Sequence, residues 1–287
     1  MNRPEISTQD MMRAIERSGY LLESEITKTL ASQGYFIESN QSVLDPLTKK
    51  NREIDLVAEY YDYDEKTATN KTIVKIHFVF EIKNNLYPLV LLTKMEFSPN
   101  TEIWEGLKEV LTIPDGIKYE FYEGFYEKLL QDEDFLYTQY CSFQKKKGGG
   151  DELMAFHPDN LHSGLAKITQ YCDEVVNRWK INSDEDEEIE NYKDDYFRHF
   201  LYMPILLIND NLYELDINNE NKADLRKVEI SKLVYNYHLM DKPKISIIFV
   251  MTKKGLNDFL PQMRALEKKL VEKMVKIKGH NKSMNID

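Results

Sequence analysis

Two apolar stretches of the chain carry ionisable residues where a buried strand would hold Val or Leu. In Arg52-Glu53-Ile54-Asp55-Leu56-Val57-Ala58, Asp55 interrupts an Ile-Leu-Val run. In His77-Phe78-Val79-Phe80-Glu81-Ile82-Lys83, alternation sets Phe78, Phe80 and Ile82 on one face of a strand and Glu81 and Lys83 on the other. Two carboxylates and a lysine on apolar strands are unfavourable unless the charges meet one another, a metal or a substrate.

The patterning around these stretches predicts the other elements. Ser7-Thr8-Gln9-Asp10 is a capping box that opens a first helix, and Gly19 breaks it. A second helix runs from Tyr20 to Gln33 with Leu22, Ile26 and Leu30 as its apolar stripe, and Gly34 closes it. Tyr35 to Leu44 reads as a strand, residues 45–51 as a turn, and the strand with Asp55 follows. After a polar hairpin loop from Asp62 to Lys71, Thr72 to Lys83 forms a long strand rich in β-branched and aromatic residues.

Residues 84–155 read as an insertion into the main domain, with aromatic residues from Tyr119 to Phe143 and a flexible hinge at Lys145-Lys146-Lys147-Gly148-Gly149-Gly150. An amphipathic helix spans Asn160 to Lys180, and an acidic loop occupies 183–195. Leu201 to Ile208 is a continuous apolar run, the mark of a strand covered on both faces, although Pro204 within it favours an edge. Strands at Leu212 to Ile217, Lys227 to His238 and Lys244 to Thr252 and a helix from Gly255 to Lys278 complete the chain. This order predicts one α/β domain over 1–287 with a mixed sheet flanked by helices.

Composition changes the picture in one respect. The net charge of −11 argues against a protein held to nucleic acid by its overall charge. Residues 183–195, however, carry eight acids against one lysine, so they supply −7 and leave −4 for the rest. A local nucleic-acid groove therefore stays open. No run reaches the ~18 apolar residues of a membrane span. The N-terminus lacks the apolar core of a secretory signal, and Cys141 and Cys172 have no metal or redox spacing. The expectation is a cytoplasmic protein without a membrane partner.

The ordered set of Gly19 and Glu23, then Arg52-Glu53-Ile54-Asp55, then Glu81-Ile82-Lys83 resembles the PD-(D/E)xK nuclease superfamily, whose fold is restriction-endonuclease-like. The wording of Gly-Tyr-Leu-Leu-Glu, of Asp-Pro-Leu-Thr-Lys-Lys-Asn-Arg-Glu-Ile-Asp and of Glu-Ile-Lys-Asn-Asn-Leu-Tyr-Pro-Leu-Val is similar to Mrr-type bacterial nuclease-like proteins. Two departures stand out: Ile54-Asp55 replaces Pro-Asp, and the 84–155 insertion is long.

The resemblance implies Mg²⁺-dependent phosphodiester hydrolysis, with Mn²⁺ able to substitute, on DNA in preference to RNA. It also implies a role in bacterial defence or a mobile element. Magnesium takes oxygen ligands and keeps several waters, so one or two carboxylates and substrate phosphate suffice. Asp55 and Glu81 are the expected carboxylates, with the Ile82 backbone carbonyl as a further oxygen. Lys83 cannot bind metal; its expected task is to position or deprotonate the attacking water, or to stabilise the transition state. Glu23 is the acid the resemblance places on the helix, as a catalytic group and a further metal ligand. At ~100° per residue it lies beside the apolar stripe, whereas Glu25 turns toward solvent.

Blander readings accompany each of these. Asp55, Glu81 and Lys83 could form a structural ion pair, although that explains neither Glu23 nor the order of the motifs. Lys49, Lys50 and Arg52 are candidate phosphate contacts, but a basic turn is more often merely solvated. The basic C-terminal helix suits its own dipole. Aromatic residues interleaved with acids suit a self-packing lobe or a protein-partner surface better than a base-stacking groove. A homodimer, or a protein partner through the 84–155 insertion, is the further expectation. The rival class is a catalytically silent nuclease-like scaffold subunit of a multi-protein complex.

Overall fold

The computed structural model describes residues 6–44, 50–60, 72–96, 106–112, 135–146, 148, 151–185, 197–218, 220–239 and 242–284. Helix α1 (Thr8–Ser18) starts on Ser7, whose hydroxyl accepts from the Asp10 amide. Gly19 then adopts φ +94°, a conformation that costs glycine little, and redirects the chain into α2 (Tyr20–Ser32). Leu22, Ile26 and Leu30 are the buried face of α2, at the predicted helical spacing.

Strands β1 (Tyr35–Leu44), β2 (Asn51–Tyr60) and β3 (Thr72–Lys83) form an antiparallel meander. The chain continues through β4 (Leu89–Glu96), β5 (Lys108–Thr112), β6 (Phe135–Lys145) and β7 (Leu153–Phe156) into α3 (Asp159–Glu185). Next come β8 (Phe197–Ile208), β9 (Leu212–Ile217), β10 (Ala223–Val228), β11 (Ile230–Leu239), β12 (Lys242–Thr252) and α4 (Lys253–Met284). Among the described residues the strands make one mixed sheet in the order β1-β2-β3-β8-β12-β11-β6-β4-β9-β10, with β5 on β8 and β7 on β6.

The sheet separates two apolar cores. One joins α2 and α4 to the even-numbered positions of β3, from Val74 to Ile82. The other joins Leu161, Leu165, Ile168, Cys172 and Val176 of α3 to the opposite face. An α/β/α layering results, and Glu81 and Lys83, at odd positions of β3, face the α3 side. Among the described residues no helix is long and apolar enough to cross a membrane.

Several expectations need correction. Pro204 does not mark an edge, because β8 lies inside the sheet, parallel to β3 along its whole length. On its other side β8 pairs with β5 through residues 198–202 and with β12 through 205–208. Pro204 falls between the stretches that pair with those two partners, in a position where β8 has no registered neighbour on that side. The single strand expected from Lys227 to His238 is two strands, divided at Glu229, which make different pairings: β10 with β9 and β11 with β12. Of the expected hinge, Lys145 and Lys146 belong to a hairpin, where Lys145 pairs with Leu153 and the Lys146 amide donates to the Glu152 carbonyl; Lys147, Gly149 and Gly150 lie outside the described residues. Helix α3 extends five residues past Lys180, into the start of the acidic run; the remainder of that run lies outside the described residues. So do the polar loop after Tyr60 and the aromatic residues Tyr119, Phe121, Tyr122, Phe125 and Tyr126.

Candidate functional site

The β2–β3 ladder runs from Glu59 opposite His77 to Leu56 opposite Phe80 and then stops. The next step would set Asp55 against Glu81. Instead the Asp55 side chain takes over the pairing: its Oδ2 accepts from the Ile82 amide at 2.8 Å. The carboxylate of Asp55 is thus held at the point where the two strands separate. Ile82 enters the site through its amide, and its residue registers with Leu207 of β8 on the other side.

Glu81 is 2% exposed, while Lys83 is 35% exposed and reaches back to it, with Nζ 2.5 Å from Oε1. The other Glu81 oxygen meets a group that strand patterning had not singled out, Lys167 of α3. Lys167 Nζ lies 2.5 Å from Glu81 Oε2 and donates to Asp55 Oδ1 at 3.0 Å. One ammonium therefore bridges the two carboxylates. Burial depresses the Lys167 pKa, but Glu81 and Asp55 together overcome this and leave it raised, so it is charged at neutral pH. Each oxygen of the buried Glu81 carboxylate therefore has an ammonium against it, Lys83 on Oε1 and Lys167 on Oε2.

Gly164, one helical turn before Lys167, makes this approach sterically feasible. A Cβ at this position would lie 2.4 Å from Glu81 Oε1 and 2.6 Å from its Cδ. Helix α3 thus rests directly on the carboxylate of β3. One signal for Lys167 was present in the sequence: Ser163, Gly164 and Lys167 share a helical face and form a small polar patch beside the apolar stripe.

Glu23 stands in the first turn of α2 and lines a cleft of about 440 Å³ together with Thr27, Lys28, Asn40 and Asp55. Burial raises its pKa first, then the neighbouring Asp55; Glu81 adds to the rise, and Lys83 and Lys167 oppose it. The Asn84 side-chain amide, next to Lys83, donates to the Glu16 carbonyl at 2.6 Å and so docks the α1–α2 junction on the end of β3. Glu25, by contrast, pairs with Lys253.

Arg52 donates to the Ser163 hydroxyl at 2.6 Å, which ties β2 to the first turns of α3. Lys50 is exposed just before β2, and Lys49 lies outside the described residues. In the C-terminal helix Arg264 lies over the rings of Tyr60 and Tyr35 and donates to Gln33, so it has a packing role.

His77 shares the strand face of Glu81 but belongs to another environment. It lies 3.3 Å from Glu59 and stacks on Tyr202 with ring centroids 4.6 Å apart. Burial, then Lys75, lower its pKa to about 4, so at neutral pH it is an uncharged ring beside Glu59. Unfolded chains take up that proton at the ordinary value of 6.5. The unfolded state therefore binds more protons, and the associated stability, complete above 6.5, is lost as pH falls toward about 4. The melting temperature of the wild type is expected to fall over this interval more steeply than that of His77→Gln. Parallel curves for the two proteins would contradict the assignment.

The donor set suits a hard cation. Asp55 and Glu81 offer carboxylate oxygens from adjoining strands, near enough to touch one cation, as the Lys167 ammonium does. Among the described residues no three His, Cys, Asp or Glu side chains converge closely enough to form a larger metal group. The chain matches no family model, no curated protein and no solved structure.

Proposed function

We propose that this protein is a Mg²⁺-dependent nuclease with a restriction-endonuclease-like fold, acting on DNA. The observation that carries the reading is the convergence of Asp55 and Glu81, from two separating strands, on one cation position, with Lys83 against Glu81. The chain path supports it as well. Helix α2, the β1–β2–β3 meander and then, after β4–β7, α3 and a strand β8 parallel to β3 come in the order the resemblance implies.

When bound, magnesium supplies an acidified water and neutralises the charge that develops on phosphate. The residues of the chain do the rest. Asp55, fixed by the Ile82 amide, and Glu81, fixed beneath α3, hold the ligand oxygens in place. Lys83 is the most exposed of the four central groups, so its ammonium is the one that reaches the scissile phosphate. There it stabilises developing negative charge or positions the attacking water. Hydrolysis consumes one water: its oxygen bonds to phosphorus, the ester P–O bond breaks, and the departing oxygen takes a proton. One site cuts one strand, so concerted double-strand cleavage requires a homodimer. A role in defence or a mobile element, and cytoplasmic residence, belong to the same proposal.

A second reading has its own support. Lys167 fills the gap between the carboxylates, as it would in a nuclease-like scaffold subunit that has no use for metal. Supercoiled plasmid incubated with the protein in Mg²⁺, in Mn²⁺ and in EDTA separates the two. Metal-dependent nicking that disappears in Asp55→Ala and Lys83→Ala is the expected result. Intact plasmid and intact RNA with folded wild type in every buffer would favour the scaffold.

A further inference from the structure

The carboxylates of Asp55 and Glu81 are already neutralised. Lys83 sits on one oxygen of Glu81, and Lys167 sits on its other oxygen and on Asp55. Within this quartet two negative and two positive charges balance, with Glu23 as a further acid beside Asp55. A divalent cation entering with both ammonium groups in place would add two positive charges to a quartet already balanced, in a largely desolvated place, which is unfavourable. The bridging ammonium also has the position that such a cation needs, in contact with both carboxylates.

We infer that Lys167 is an internal counter-cation that holds the metal position in the metal-free protein and must swing out before metal enters. This deepens, and rests on, the reading of Asp55 and Glu81 as metal ligands. The side chain suits the task. A lysine ammonium is a point charge on a four-carbon stem that can change rotamer without moving its helix. Gly164 brings the α3 backbone down onto Glu81, so Lys167 reaches the carboxylates from immediately above them. Once displaced, the ammonium requires a new anionic partner, and a nucleic-acid phosphate at the site supplies one. Metal and nucleic acid consequently favour each other's binding.

Lys167 differs in this from Lys83. Lys83 contacts a single oxygen and is 35% exposed, so it can remain beside Glu81 while metal binds. Lys167 contacts both carboxylates and is 12% exposed, so it cannot.

The test measures metal binding. Mn²⁺ is titrated calorimetrically into wild type, Lys167→Gln and Lys167→Arg, with no nucleic acid present. Lys167→Gln is expected to bind Mn²⁺ about tenfold or more tighter than wild type, and Lys167→Arg, which keeps the charge, no tighter. In EDTA, Lys167→Gln is expected to melt below wild type, because two adjacent carboxylates lose their shared counter-ion, and Mn²⁺ should restore it. A wild-type measurement does not depend on the variants folding. Amine acetylation mapped by mass spectrometry should find Lys167 protected in EDTA and reactive in saturating Mn²⁺. Equal Mn²⁺ affinity in wild type and Lys167→Gln, weaker binding by Lys167→Gln, or unchanged protection of Lys167 in Mn²⁺-loaded wild type would overturn the inference and leave the metal site standing. Absence of Mn²⁺ binding by both wild type and a folded Lys167→Gln would overturn the inference together with the nuclease reading.

Discussion

Asp55→Asn is expected to remain folded and to lose metal-dependent plasmid cleavage by about 10³-fold or more, some 4 kcal/mol of transition-state stabilisation. Asparagine keeps the shape of the side chain and can still accept from the Ile82 amide, which Asp55 Oδ2 now satisfies. The separation of β2 from β3 should survive, because it depends on that hydrogen bond. What disappears is a negative charge facing Lys167 and the proposed metal. Glu81 alone would then have to hold the cation, and a single carboxylate both binds more weakly and orients less well. A nicking rate read against a melting curve separates loss of chemistry from loss of fold. A folded Asp55→Asn that nicks at the wild-type rate would remove Asp55 from the mechanism.

The second large effect concerns Gly164. Replacing glycine by alanine inside a helix ordinarily stabilises by about 1 kcal/mol, because alanine loses less conformational freedom. Gly164→Ala is expected to do the opposite. The new Cβ would lie 2.4 Å from Glu81 Oε1, well inside contact distance. Glu81 has little room to yield, since ammonium groups hold both its oxygens and it is 2% exposed. Either α3 lifts from the sheet or the ion pairs break, and breaking a buried pair costs about 3 kcal/mol. Thermal melting should show a loss of at least several degrees, with cleavage impaired in proportion. A Gly164→Ala protein more stable than wild type would mean that helix and strand are further apart than the structure has them.

Much of the site was legible in the sequence because its strands announce themselves locally. Both Tyr35–Leu44 and Thr72–Lys83 have the boundaries that their patterning predicts. Alternation alone sets Glu81 and Lys83 on one face and opposes them to Phe80 and Ile82. The interruption of an apolar run at Asp55 marked a charge needing a partner, and the 100° rotation per residue separated Glu23 from Glu25. In each case the information lies within a few residues of the side chain concerned.

Lys167 was not legible in that way. It is 112 residues from Asp55, and the patterning of α3 states only which face is apolar, not what that face covers. Pro204 misled for the same reason. Its effect depends on the neighbour its missing amide would have faced, and β8 changes neighbours at that point. Glu229 divides two strands of nearly continuous β propensity because β10 and β11 pair with different partners.

The sequence by itself determined the mixed α/β class, the course of the strands that carry Asp55, Glu81 and Lys83, and the helix that carries Glu23. Periodicity and turn chemistry act over a few residues, and those elements need nothing more. Only the tertiary structure decided that α3 lies on Glu81, that Gly164 permits the contact, and that one ammonium joins the two carboxylates. Charge pairing and close packing are set by distances in space, and residues far apart in the chain acquire those distances only when the sheet closes between its helices.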